Sequence, residues 1–305
     1  MDNLFANLPK VRGEYRYNEP LKKYTWLNVG GNADVMFFPK DEADLQKFLC
    51  EKSKDVPFFV LGNGSNLLIR DGGIEGVVIK LNSVNFSQWK CEGDKLILGC
   101  GFKNALLKNI LLENGLGGLE FLCSIPGCLG GAVRSNVGCF GSEISQVFLK
   151  AKVMDGSGNI FDADAEDFHF SYRNSTFPQD WIILQVELQA QRAPREQIED
   201  ILKKNTLYRQ ERQPQNIRTA GSTFKNPQQN AAWKLIKESG ACNLKVGGAS
   251  FSEKHCNFLV NDGTATAEDL EKLGENARKL VFQKFGVNLE WEVKVVGREN
   301  GRNGK

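Results

Sequence analysis

Histidine is almost missing from this chain: His169 and His255 are the only two in 305 residues. A Cys/His zinc centre needs more imidazoles or closely spaced thiolates, so none is expected. Eight cysteines are present, at positions 50, 91, 100, 123, 128, 139, 242 and 256, but no two make a Cys-x-x-Cys pair. Several sit in apolar or glycine-rich segments, as buried free thiols do, and reduced thiols are expected rather than a disulfide framework. No uncharged apolar run approaches the roughly 18 residues of a membrane span. The opening Met1-Asp2-Asn3-Leu4-Phe5 has an acidic residue and no cationic stretch, so a secretory leader is not expected. An excess of one charge is also lacking: 39 Lys and Arg against 37 Asp and Glu leave a net +2. The densest basic stretch, Tyr208 to Arg218, contains Glu211 and Pro214, which argues for small anionic ligands rather than a nucleic acid. Internal repeats are absent too, which excludes solenoids and propellers.

What is present is an ordinary globular composition, 41% hydrophobic and 25% charged, long enough for about two domains of roughly 150 residues. Asp41 to Lys52 reads as a helix with Leu45, Phe48 and Leu49 on one stripe. Val56 to Leu61 is a short buried strand ending at Gly62, and Gly76 to Ile79 and Leu96 to Leu98 look like further strands. Lys103 to Glu113 is a helix stopped by Gly115, and Trp181 to Leu188 is strand-like. After Pro194 the pattern turns helical: Arg195 to Gln210, Asn230 to Ser239 with Gly240 as its cap, and a longer helix opened by the capping box Thr266-Ala267-Glu268-Asp269. Leu289 to Val296 alternates, with Leu289, Trp291, Val293 and Val295 facing one way. The class is α+β, divided at 20–194 and 195–298, with a disordered tail over 299–305.

Glycines concentrate in two places. Gly62-Asn63-Gly64-Ser65-Asn66 follows a buried strand into a polar turn; it lacks the third glycine of a dinucleotide fingerprint, because Leu67 stands there. Successive amides in such a turn can form an anion nest, but the same residues also suit a plain strand-to-strand turn. Further on, Gly127, Gly130, Gly131, Gly138 and Gly141 place five glycines within fifteen residues. That density carries a large backbone entropy cost and suits a chain passing close to a flat or anionic group, or backbone packed on backbone.

The order of the motifs is more specific than any one of them. Thr25-x-x-x-x-Gly30-Gly31-x-Ala33, Leu61-Gly-Asn-Gly-Ser-Asn66, Ile125-Pro-Gly…Gly-Gly131…Asn136 and Ser171-Tyr-Arg-Asn-Ser-Thr-Phe177 come first. Gly221-Ser-Thr-Phe-Lys-Asn-Pro227, Gly248-Ala-Ser…Lys254-His255-x-Asn257-Phe258 and Leu289-Glu-x-Glu-Val293 follow. Together these resemble the UDP-N-acetylenolpyruvoylglucosamine reductases over nearly the whole chain, in the shorter type II subtype. The sequence departs from that pattern at Asn28, Cys128 and Cys139, which stand where basic, small or polar residues are usual.

The resemblance implies a two-part FAD-binding domain of the vanillyl-alcohol-oxidase type and a smaller α+β substrate-binding domain. It implies FAD as cofactor, held by Gly62, Asn63, Gly64, Ser65 and Asn66 and by Ile125, Pro126, Gly127, Gly130 and Gly131. NADPH and UDP-N-acetylglucosamine enolpyruvate would be the substrates, in a cytoplasmic monomer with no nucleic-acid or membrane partner. Carried over by motif, Ser222 protonates C2, Arg173 holds the carboxylate and the developing enolate, and Glu292 polarises the same centre. Tyr172, Lys225 and Asn226 would bind substrate. Read without the motifs, Ser222 is a turn hydroxyl, Arg173 a surface partner for Glu166 or Asp167, Glu292 a solvated strand face, and Asn226-Pro227 a turn. Two other functions share the glycine loops: an oxidase with covalent flavin, and a non-catalytic nucleotide-sugar binder.

Overall fold

The computed structural model describes Phe5 and residues 7–299; the expected tail lies, beyond Glu299, outside the described residues. The chain forms two compact units that interleave in sequence. One comprises the residues up to Arg16, Val35–Asn63 and Gly76–Arg209; the other comprises Tyr17–Asp34, Gly64–Glu75 and the residues from Gln210 onward. The class is α+β, as the patterning implies.

The first unit is built on a five-stranded sheet, antiparallel throughout, in the order Ile160–Asp164, Phe148–Met154, Ile182–Gln189, Lys95–Gly99, Trp89–Glu92. Ile182–Gln189 pairs on both sides, with Val186 between Ala151 and Leu98, and it buries Val186 and Leu188 while Gln185, Glu187 and Gln189 stay half-buried. Its neighbour Phe148–Met154 carries no clear strand signal in sequence, because Lys150 and Lys152 interrupt its apolar pattern. Their ammonium groups bond Asp162 at 2.6 Å and Glu42 at 2.6 Å, so the strand keeps its charges paired beside the sheet. Phe148 lies in an aromatic cluster with Phe168 and Phe170, at centroid distances of 4.9 and 5.2 Å.

The helix Glu42–Glu51 is capped by Asp41, whose carboxylate accepts from the Asp44 amide at 3.0 Å, and it buries the expected Leu45, Phe48 and Leu49. Leu107–Asn114 ends at Gly115 with φ 59°, the left-handed cap read from the sequence. Between that helix and Phe148–Met154 run two short helices, Glu120–Cys123 and Leu129–Arg134, which carry the second glycine cluster.

In the second unit the long helix Ala267–Phe285 packs Leu270, Leu273, Ala277 and Val281 into a separate core. Thr266 and Asp269 make the reciprocal capping box, each bond 3.0 Å, and Asp71 adds its carboxylate to the amides of Ala267 and Glu268. A three-stranded antiparallel sheet, Lys245–Val246, Ala249–Phe251 and Leu259–Asn261, covers the core with the helix Ala232–Glu238. The strand expected over 289–296 is shorter: only Lys294–Val296 joins a ladder, parallel to Leu67–Ile69. The alternation itself holds, since Leu289 and Val293 are buried while Glu290 and Lys294 are exposed. Residues 289–293 fail to form a ladder because their partners are scattered single bonds: Trp291 bridges Phe224, and its indole donates to Glu275 at 2.7 Å.

Candidate active site

In the first unit the structure brings Arg173 to the second glycine cluster, about forty residues earlier in the chain. Asn136, fully buried, makes the connection: its side-chain amide donates to the Ser171 carbonyl at 2.9 Å and to Glu143 at 3.0 Å, and its carbonyl accepts from Ser145 N at 2.9 Å. Ser175 adds a second pin, donating to the carbonyls of Val133 at 3.1 Å and Arg134 at 2.9 Å. The turn so held puts Arg173 at φ 54°, a conformation that costs an arginine of the order of 1–3 kcal/mol and persists where surroundings over-determine it. Its guanidinium donates to the Gly138 carbonyl at 2.6 Å and lies 4.9 Å from the centre of the Tyr172 ring. Tyr172 itself is exposed.

Ile125, Pro126, Gly127, Gly130 and Gly131 lead into the helix Leu129–Arg134. Gly130 N donates to Cys100 O at 2.8 Å, and a Cβ there would meet the Cys100 Cβ at 3.1 Å, so this glycine serves close backbone packing. The amides of Gly62, Asn63, Gly127 and Cys128 behave differently: among the described residues they donate to no protein acceptor. Lys80 is buried beside this turn, with its ammonium bonded to the Gly62 carbonyl, and burial pushes its pKa down.

In the second unit, Ser222, Thr223, Phe224 and Lys225 form a short segment clamped on two sides. On one side Thr223 N donates to Asn257 O at 2.7 Å, and the Asn257 side chain takes both Phe224 groups, N at 3.0 Å and O at 2.8 Å. On the other, Glu292 N donates to Thr223 O at 2.8 Å and Lys225 N to Glu290 O at 2.9 Å. Ser222 and Glu292, seventy residues apart in sequence, are thereby held next to each other in one backbone network. Asn66 reinforces it, donating from its side chain to Glu292 O at 3.1 Å and accepting Lys294 N at 3.1 Å. Gly64 is required where it stands: φ is 62°, and a Cβ would lie 2.0 Å from the Tyr24 carbonyl. Ser65 is half-buried in the same turn. Gly221 precedes Ser222 at φ 81°, with nothing within 4 Å of where a Cβ would be. The Ser222 hydroxyl, half-buried, donates to no protein acceptor among the described residues. Lys225 lies 3.4 Å from the exposed Glu290 carboxylate, and the Asn226 side-chain oxygen accepts Ala232 N at 3.0 Å, capping the following helix.

Residues 213–296 match the sequence pattern of the UDP-N-acetylenolpyruvoylglucosamine reductase C-terminal domain, and residues 33–164 match that of an FAD-binding domain. The chain is 42% identical over 304 residues to the UDP-N-acetylenolpyruvoylglucosamine reductase of Maricaulis maris, covering 98% of this chain and 96% of that one. It belongs to the UDP-N-acetylenolpyruvoylglucosamine reductase family. The Rickettsia massiliae reductase is 43% identical over 293 residues, 95% of this chain and 98% of the relative. The crystal structure of the Thermus caldophilus reductase superposes with a TM-score of 0.80 at 34% identity, over 94% of this chain and 99% of that one.

An FAD pyrophosphate is an acceptor-only dianion, and the reductase offers donors of the matching kind: the unclaimed amides of Gly62, Asn63, Gly127 and Cys128, in glycine-dense backbone that a ligand can approach closely. Lys80, the buried cation beside Gly62, is turned onto a carbonyl, so the turn presents neutral donors. The residues present therefore fit the group.

Sequence reading alone gave no role to Asn136, which it met only as the end of a motif, and passed over Lys80 and Arg209. Arg209 is half-buried near the end of the helix Arg195–Arg212, where burial lowers its pKa and the Cys139 thiol opposes the fall. Burial raises the pKa of that thiol, while Ser124, Arg209 and Arg173 oppose the rise. A signal existed for Asn136, an asparagine placed inside a glycine run; none existed for Arg209, one of several cations on a polar helix.

His255 is a structural residue here. Its Nδ1 accepts the Asn257 amide at 3.2 Å, and burial holds its pKa below the ordinary 6.5. Folding thus favours the neutral ring, and stability from this turn is full above the ordinary value and falls as pH drops through it towards the folded one. Urea midpoints measured from about pH 7 to about pH 5 are expected to decline less steeply in His255→Gln than in the parent.

Proposed function

We propose that this reductase uses NADPH to reduce the enolpyruvyl ether of UDP-N-acetylglucosamine to the lactyl ether of UDP-N-acetylmuramate, in peptidoglycan precursor synthesis. The observation that carries this reading is the clamp on residues 222–225: the backbone is held from both sides while the Ser222 hydroxyl donates to no acceptor among the described residues. A proton donor needs this combination of a fixed position and an available proton.

Bound FAD supplies the hydride-transfer chemistry that links the two substrates. Residues 20–194 carry the cofactor, through the turns at Gly62–Asn66 and Ile125–Gly131, and residues 195–298 carry the substrate. Reduction at C3 leaves negative charge on C2, shared with the adjacent carboxylate. Arg173 binds that carboxylate with a planar fork of donors and stabilises the charge. Ser222 Oγ–H delivers the proton to C2; a carbanion-like centre is basic enough to accept it from a hydroxyl. Glu292, whose main chain is fixed beside Thr223, polarises the same centre. Lys225 meets the diphosphate: its ion pair with Glu290 is solvent-exposed on the carboxylate side and worth little, so a phosphate displaces it at small cost. Asn226 keeps its side-chain N–H₂ for the nucleotide, since its oxygen caps a helix, and Tyr172 offers an exposed ring. The reading includes a cytoplasmic monomer. No helix among the described residues is long and apolar enough to cross a membrane.

A visible absorption spectrum tests the whole reading. Purified protein is expected to be yellow, to bleach with anaerobic NADPH, and to recolour when the enolpyruvyl nucleotide is added. Colourless protein that takes up no added FAD would reduce it to a nucleotide-sugar binder, and flavin that survives denaturation covalently attached would make it an oxidase.

A further inference from the structure

Among the described residues three charged side chains are buried: Asp44, Lys80 and Glu120. The two carboxylates are satisfied by main-chain amides, Asp44 by those of Arg12, Gly13 and Lys40 at 2.7, 2.8 and 2.9 Å, and Glu120 by that of Gly118 at 2.8 Å. Lys80 differs. It is 9% exposed, its ammonium donates to the Gly62 carbonyl alone, and no carboxylate pairs with it among the described residues. Two of its three N–H groups therefore have no acceptor there. Burial lowers its pKa; the Cys128 thiol opposes the fall, and a second cation, Lys103, adds to it. A buried cation without a counter-charge is costly, and an anion arriving from outside the chain removes that cost.

The sheet brings Lys80 to Gly62. The strands Phe58–Val60 and Ile74–Ile79 run parallel with Val60 opposite Ile79, so both segments leave at the same end. Leu61 N donates to Ile79 O at 2.9 Å and Lys80 N to Phe37 O at 2.9 Å, which fixes both exits. The Gly62 carbonyl and the Asn63 N–H belong to one planar peptide and point in opposite directions. With the carbonyl turned to Lys80, the Asn63 N–H faces away from the ammonium, and it donates to no acceptor among the described residues.

We propose that Lys80 is a positioning residue for the FAD pyrophosphate: it locks the Gly62–Asn63 peptide with the Asn63 N–H turned outward, and its charge offsets that of the phosphates from one peptide away. Its role rests on the reading of Gly62 and Asn63 as cofactor-binding residues. A cation on the carbonyl polarises the peptide and makes the opposite N–H a stronger donor to an anion. The bound dianion then supplies the counter-charge that the chain lacks around Lys80, while the bond to Gly62 stays in place.

Fluorescence titration of the flavin-free full chain tests this, with FAD and with riboflavin, which carries the same ring and no phosphate. Lys80→Met keeps the apolar stem and removes the charge. It is expected to weaken FAD binding roughly 10- to 100-fold, the range for one charged hydrogen-bonding partner, and to leave riboflavin binding unchanged. Lys80→Arg keeps the charge and is expected to recover most of the FAD affinity. Urea unfolding separates positioning from support. Without flavin, Lys80→Met should match or exceed the midpoint of the parent, because a buried charge is gone, and FAD should raise its midpoint less than it raises the parent's. Unchanged FAD affinity in Lys80→Met would overturn the role, as would a lower flavin-free midpoint with equal losses for FAD and riboflavin. Asn63→Pro removes the N–H itself. If it weakens FAD and Lys80→Met does not, the turn holds the cofactor and Lys80 has no part in it; if neither weakens FAD, the cofactor reading of the turn fails as well.

Discussion

Ser222→Ala is expected to leave the bleaching of the flavin by NADPH at its normal rate and to slow recolouring by the enolpyruvyl nucleotide by about 10²- to 10⁴-fold, the range for losing a positioned proton donor. The split follows from where the residue sits. Its neighbours fix the main chain through Asn257, Glu292 and Asn66, so removing one hydroxyl that bonds nothing among the described residues leaves the fold intact. Stopped-flow absorbance separates the halves. Equal slowing of both would assign Ser222 to cofactor geometry instead of proton delivery. Ser222→Cys, which returns an ionisable hydrogen at nearly the same place, is expected to recover part of the recolouring rate.

Asn257→Leu should be the most destabilising single change in the second unit. Asn257 is 3% exposed, and its amide satisfies both the N–H and the C=O of the buried Phe224. Leucine fills much of the same volume but leaves those two backbone groups buried without partners, at about 1–3 kcal/mol each. The total of about 2–6 kcal/mol is a large part of an ordinary folding free energy. It should appear as a fall in the urea midpoint with no change in slope. Where enough folded protein remains, recolouring should suffer more than bleaching, because the lost bonds hold Phe224 in the Ser222 segment, not the residues of the first glycine turn. Asn257→Asp restores the acceptor for Phe224 N but not the donor for Phe224 O, and is expected to fall between leucine and the parent.

Both variants depend on bonds that no single segment of sequence discloses. The capping box at Thr266, the stripes of the helices near 45 and 273, and the glycine stops at 115, 240 and 286 are decided within one or two turns of chain, by amide satisfaction and by the left-handed backbone that glycine adopts freely. The ordered motifs and the few histidines already pointed to a metal-free flavin reductase with Ser222, Arg173 and Glu292 as its named groups.

Local pattern was silent on the inner strand Phe148–Met154, whose lysines are paired with Asp162 and Glu42 from other segments. It also overran at 289–293, where an alternating segment finds isolated partners instead of a ladder. Composition and motif order thus determined which chemistry the chain is built for. Tertiary structure decided how the tools are held: Asn136 tying the Arg173 turn to the glycine cluster, and Asn257 and Asn66 fixing the segments of Ser222 and Glu292. The physical reason is that a buried polar group must find a partner wherever the fold brings one, and that partner is chosen by position in space rather than by neighbourhood along the chain.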